Sequence, residues 1–137
     1  MTMKDSIVLK IILFVAGLLM ILVGLQITLS PVEFYAGSGI ELGPDVSLHN
    51  EIKAPAGFLL AAGVIILAGI FLRHLTYTAT LLATVLYLSY AAARLVSILL
   101  DGLPVTGLIQ AAMLETVVGL ACLAVLLRYR LVAGEVR

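Results

Sequence analysis

The sequence predicts an all-α integral membrane protein, a four-helix bundle forming one transmembrane domain over residues 1–137. Three observations carry this expectation. Of the 137 residues, 63% are hydrophobic and 12% charged, half the ~25% charge of a soluble domain, and the mean hydropathy is +1.22. Four apolar runs each approach the ~20 residues that a helix needs to cross ~30 Å of hydrocarbon. Finally, the basic residues gather on one side once those four runs are threaded through a bilayer. The formal net charge is zero, so no overall field points to nucleic acid or another polyanion. The single cysteine, Cys122, rules out an intrachain disulfide and any multi-cysteine metal site.

The first run, residues 7–29, is interrupted only by Lys10 near its start and Gln26 near its end. A cleaved signal peptide would need a shorter core of roughly 7–15 residues and a small-residue cleavage pattern, so a retained helix is expected. Gly17, Met20, Gly24 and Thr28 fall on one slender face of it, suited to close helix approach in lipid. Next, Ser30-Pro31-Val32-Glu33 has the order of a capping box, with proline at the first helical position. With Phe34 and Tyr35 following and Gly37 and Gly39 available to end it, residues 31–36 are expected to form a short interfacial helix inside an outer loop of residues 30–53. Glu33, Glu41, Asp45 and Glu51 make that connection acidic, with Lys53 its one base.

The second span is expected over residues 54–72, opening at Glu51 or Ala54 with Asn50 as a cap. Pro55 would then stand in its first turn, and Gly57, Ala61 and Ala68 would give it a small-residue face. Arg73-His74 makes a short basic turn before a third span over residues 77–100. Asp101-Gly102-Leu103-Pro104 is a tight turn, and the fourth span covers residues 105–127. Lys4, Lys10, Arg73, Arg128, Arg130 and Arg137 then share one side against Lys53 on the other. Six against one places both termini in the cytoplasm. His49 and His74 fall on opposite faces, which removes a metal site using both, and the acidic loop around His49 reads as a solvated surface.

The third span contains the anomaly, an arginine in a hydrophobic run. Tyr87, Tyr90, Arg94, Ser97 and Asp101 recur at steps of three and four, so a helix gathers them into one polar stripe. Arg94 lies ~9 Å below the outer end of its helix and Glu115 ~15 Å down the antiparallel neighbour, and side chains lean toward the N-terminus of their own helix. The two therefore lean toward each other. A charge near the bilayer centre costs roughly 2.5–3.5 kcal/mol on insertion scales, which makes mutual pairing the economical arrangement. Arg94, Glu115, Tyr87, Tyr90 and Ser97 form the candidate buried polar cluster; Asn50, Glu51, Lys53 and Asp101 form a candidate outer-surface cluster, where Glu51 and Asp101 compete for Arg94. Gln110 points about 140° away from Glu115 and lies outside both. Thr80 and Thr84 are expected to bond back to their own helix.

Asn50-Glu51-Ile52-Lys53 ahead of a small-residue helix, Ala93-Arg94-Leu95 leading to Leu100-Asp101-Gly102-Leu103-Pro104, and Glu115 in the last helix together resemble an uncharacterised bacterial membrane family, domain of unknown function 4345. The resemblance covers nearly the whole chain. In that family the second helix opens on a similar N-E-I-R string; here Lys53 stands in place of the arginine, which weakens the case for a bidentate contact at that position. The resemblance implies a multi-pass protein of the cell inner membrane, more distantly DoxX-like in architecture, with relatives in membrane redox systems. It supplies no activity.

The function expected is a non-catalytic accessory, binding or assembly component in the lipid bilayer, holding a lipid, a quinone or a partner membrane protein, with no catalytic residue, metal or cofactor assigned. Oligomerisation is compatible with it. Alternatives are a small-molecule or proton-coupled carrier acting as an oligomer, with Glu115 as its acidic group, and a subunit of a membrane redox system. The sequence has no histidine cluster, no Ser-His-Asp set on one side of the membrane and no phosphate-binding glycine motif, so an enzyme is not expected. The Arg94–Glu115 pair also has a purely architectural reading, fixing the register of two helices.

Overall fold

The computed structural model describes residues 6–134, with side chains as far as Arg128. Lys4 and Arg137, used above for orientation, lie outside the described residues, as does the side chain of Arg130. Five helices follow in order: α1 (Ile7–Leu29), α2 (Pro31–Ala36), α3 (Val46–Phe71), α4 (Thr76–Asp101) and α5 (Thr106–Gly134). All except α2 contain a stretch long and apolar enough to cross a membrane. This is a multi-pass, all-helical architecture. Large apolar side chains such as Phe14, Phe58, Phe71, Leu99 and Val117 stay exposed on its outside, as expected of a surface whose solvent is lipid.

α1 packs chiefly on α3 and α5 on α4, while α3 and α4 join the two pairs. Missing side chains let α1 and α3 approach backbone to backbone. A Cβ on Gly63 would stand 2.6 Å from Ile21 Cγ1 and 2.9 Å from the Gly17 carbonyl oxygen, and one on Gly24 would stand 3.0 Å from the Ala56 carbonyl oxygen. The buried residues of α3 are Ala56, Leu59, Ala62, Gly63, Ile66 and Gly69; Ala56 and Gly63 meet α1, whereas Gly69 packs against Ala79 and Thr76 of α4. The face expected from Gly57, Ala61 and Ala68 is corrected accordingly. Gly57 and Ala61 are exposed, and nothing lies within 4 Å of a Cβ on Gly57. One residue along a helix turns the face by 100°, and in a span that is apolar all round no periodicity selects among faces.

α3 begins at Val46 rather than at Glu51 or Ala54, because Asp45 caps it: its Oδ1 accepts from the backbone N–H groups of Ser47 at 2.8 Å and Leu48 at 3.3 Å. Asn50 is therefore inside the helix, and Pro55 is its tenth residue. Proline there removes the donor that would serve the Glu51 carbonyl. His49 donates from Nε2 to the Gly43 carbonyl at 3.1 Å, tying the loop back to the helix.

Ser30 closes α1, its N–H donating to the Gln26 carbonyl, and at φ −137°, ψ 60° its side chain makes no capping bond to α2. The expected capping box is absent because one residue ends one helix and opens the next. α2 is instead fixed at its far end. The Gly39 N–H donates to Ala36 at 2.9 Å and the Ile40 N–H to Tyr35 at 3.0 Å, with Gly39 at φ +72°, which is Schellman closure. At the other connections, Arg73-His74 lies in the turn between α3 and α4. α4 runs through Asp101 to Gly102, whose φ of +100° suits glycine.

The two ends of the bundle differ. At the end where α1 begins, Leu9, Leu13, Ala16, Ile66, Ala79, Ala83 and Cys122 are almost wholly inaccessible. Thr80 and Thr84 there bond back to the carbonyls four residues earlier, at 2.7 Å each, and Thr76 donates to the Gly69 carbonyl at 2.9 Å, stitching α4 to α3. At the end bearing α2 and the Gly102–Val105 turn, the helices leave a cavity.

Candidate functional site

The cavity has a volume of about 480 Å³, within the roughly 300–1,000 Å³ of small-molecule pockets. Every helix contributes to its wall: Met20 and Ile27 from α1, Phe34 and Tyr35 from α2, Pro55 and Leu59 from α3, Tyr87, Tyr90 and Arg94 from α4, and Ala111, Leu114 and Glu115 from α5. α2 forms its cover, with Phe34 and Tyr35 edge to face at 5.4 Å between ring centroids. Most of the lining is apolar. Its charge is confined to one place.

There Arg94 donates from Nε to Glu115 Oε2 at 2.8 Å and from Nη2 to Oε1 at 3.1 Å. Two near-parallel N–H···O bonds to one carboxylate form the bidentate contact for which a guanidinium is shaped. It joins α4 to α5 in the half of the bundle where apolar packing is thinnest. Of the three carboxylates that compete for Arg94 in the sequence, Glu115 holds it. Gly119, one turn beyond Glu115 on the same face, permits this closeness: a Cβ on it would stand 2.6 Å from Leu88 Cδ2 and 3.1 Å from the Leu88 backbone nitrogen.

The remaining expected site residues divide. Tyr87 is 2% exposed and forms the cavity floor, but its hydroxyl donates to the Ala16 carbonyl of α1 at 2.8 Å rather than serving the ion pair. Tyr90 lines the cavity beside Arg94. Ser97 does not belong to the buried cluster: it is exposed and donates to Asp101 Oδ2 at 3.0 Å. α4 carries the stripe beyond the packed part of the bundle, so its last turns meet the surroundings instead of α5. Asn50, Glu51, Lys53 and Asp101 are all exposed. Among the described residues no hydrogen bond or ion pair joins them into a cluster or to Arg94. Ile52, between them, reaches the cavity wall. The sequence does not mark Tyr35, Ser38 and Pro55 as parts of the wall; the adjacent aromatics Phe34-Tyr35 on a short helix were the available signal, and Ala111 shares the face of Glu115 expected from helical spacing.

Removing the Tyr87 hydroxyl while keeping the ring isolates its bond to α1. Tyr87→Phe is expected to cost about 1 kcal/mol, the net worth of one buried hydrogen bond, read as a lowered midpoint of thermal unfolding in detergent, with the ion pair between α4 and α5 undisturbed.

The model of the family described as "Domain of unknown function (DUF4345)" matches residues 8–126. The chain belongs to this family. The matched span contains all of the cavity lining together with both members of the ion pair, so the site is built entirely from the DUF4345 domain. No curated protein and no solved structure matches the chain.

Proposed function

We propose that this DUF4345 protein is a non-catalytic accessory or binding component of the inner membrane that holds a lipid-soluble molecule in its cavity. The observation that carries the reading is the cavity itself: about 480 Å³ of largely apolar space that includes one charged pair in its wall. A pair needed only to set the register of two helices has no reason to border an open space, since closing that space over it would bury more apolar surface. The non-catalytic part of the reading rests on Glu115. Both of its oxygens accept from Arg94, which leaves the carboxylate of the wall committed rather than free as a general base.

Orientation follows from charge. The basic residues Lys10, Arg73 and Arg128 share the side of the bundle opposite to α2, which supports the cytoplasmic termini expected from the six-to-one basic asymmetry of the sequence. The cavity then lies in the extracytoplasmic half, under α2.

The test is native mass spectrometry of the protein released from membranes of the expressing cell. A retained lipophilic adduct is expected on the wild type and is expected to be lost from Ala111→Phe, which fills the cavity while keeping both members of the ion pair. A wild type free of adduct, or an adduct unaffected by the substitution, would argue against the reading.

A further inference from the structure

The hydrogen-bonding capacity left over at Arg94 specifies the kind of molecule that the cavity takes, an inference that rests on the binding role just proposed. A guanidinium carries five N–H donors. Glu115 uses two, the Nε–H and one on Nη2, and among the described residues the other three meet no protein acceptor. They are not sealed away: the Arg94 side chain is 31% exposed and lines the cavity. The Tyr90 hydroxyl, on the same wall one turn away, also meets no partner among the described residues. Among those residues, no fully buried side-chain nitrogen or oxygen is left unsatisfied, so the free donors lie where a bound molecule can reach them.

Charge then decides between heads of different sign. The Arg94–Glu115 pair is neutral as a unit. An anionic head reaching Arg94 would stand beside the Glu115 carboxylate, and a cationic head reaching Glu115 would stand beside the guanidinium; each would lose hydration on leaving water for a site with no net charge to repay it. A neutral oxygen acceptor avoids both penalties. It accepts from N–H groups that the glutamate leaves idle, and the rest of the molecule lies along Met20, Leu59 and Leu114. We propose that the cavity binds a neutral amphiphile whose head is a carbonyl oxygen, of an ester or a ketone type, hydrogen-bonded to Arg94 and Tyr90, with its apolar body in the space beneath α2.

The proposal is tested in lipid nanodiscs with four probes of matched chain, methyl dodecanoate, dodecanoate, dodecylamine and dodecane, each competed against a photoreactive alkyl diazirine that labels the cavity. The methyl ester is expected to compete about tenfold better than dodecane, the worth of one net hydrogen bond to a charged donor, and better than either charged probe. In the double variant Arg94→Leu with Glu115→Leu the ester should lose that advantage and match dodecane. Tyr90→Phe, which leaves the ion pair in place, should reduce the advantage in part, so the test survives a double variant that does not fold. Preference for the carboxylate or for the amine, or equal competition by all four probes, overturns the proposed ligand class. Labelling that persists in Ala111→Phe overturns the cavity as the binding site, and with it the binding role. Labelling lost in Ala111→Phe without preference for the ester overturns only the ligand class.

Discussion

Arg94→Leu is expected to destabilise the bundle by about 3 kcal/mol, at the low end of the roughly 3–5 kcal/mol seen on breaking a buried ion pair, and Glu115→Leu in the same chain is expected to recover most of that loss. The reason is asymmetric burial. The Glu115 side chain is 14% exposed and that of Arg94 31% exposed, so removing the arginine strands a carboxylate against an apolar wall. Removing the glutamate leaves an arginine whose long stem can carry its head toward water. Glu115→Leu alone should therefore cost less than Arg94→Leu. Replacing both leaves two apolar side chains on facing helices and no stranded charge, which is why the double variant recovers. Reversible unfolding of the four proteins in one detergent supplies the double-mutant cycle. Two additive losses, with no recovery in the double variant, would mean that the two residues do not act as a pair.

The second large effect belongs to the contact between α1 and α3. Gly63→Leu is expected to cost about 3 kcal/mol or more, since overpacking of a tight contact typically costs 1–3 kcal/mol and here even a methyl group would stand 2.9 Å from the Gly17 carbonyl oxygen. Backbone cannot swing aside as a side-chain tip can. The helices would have to separate along the seam on which Gly17 and Gly24 also sit. Gly57→Leu provides the control. It lies six residues away on the same helix, with nothing within 4 Å of its Cβ position, and is expected to be neutral or slightly stabilising through helix propensity. Equal loss at the two positions in the same unfolding measurement would contradict the assignment of the packing face.

Polar residues were legible in the sequence, whereas apolar packing faces were not. Arg94 and Glu115 were legible because charge inside an apolar run is rare and expensive, so depth and lean along two antiparallel helices suffice to bring them together. The order of the spans was legible because Arg73-His74 and Asp101-Gly102 interrupt otherwise continuous apolar sequence. The packing face of α3 was not. In lipid both the inward and the outward faces are apolar, and small residues occur at Gly57 and Ala61 as well as at Gly63 and Gly69. The start of α3 was misread for a different reason, since Pro55 marks the first turn of a helix in most settings but is tolerated deep within a membrane helix. The partner of Tyr87 was invisible because it is a backbone carbonyl at Ala16, which no residue type advertises. The same stripe that located Arg94 also drew in Ser97 and Asp101, because periodicity along α4 does not reveal where its neighbours stop.

The most direct measurement is a density map of the protein in lipid nanodiscs, prepared from native membranes without added ligand. It is expected to show elongated density beneath α2, ending within hydrogen-bonding distance of the Arg94 guanidinium and the Tyr90 hydroxyl, with Glu115 still bidentate on Nε and Nη2. A collapsed or empty cavity, or an Arg94 side chain turned out of it toward Asp101 or Glu51, would contradict the assignment of this pair as the polar wall of a binding site.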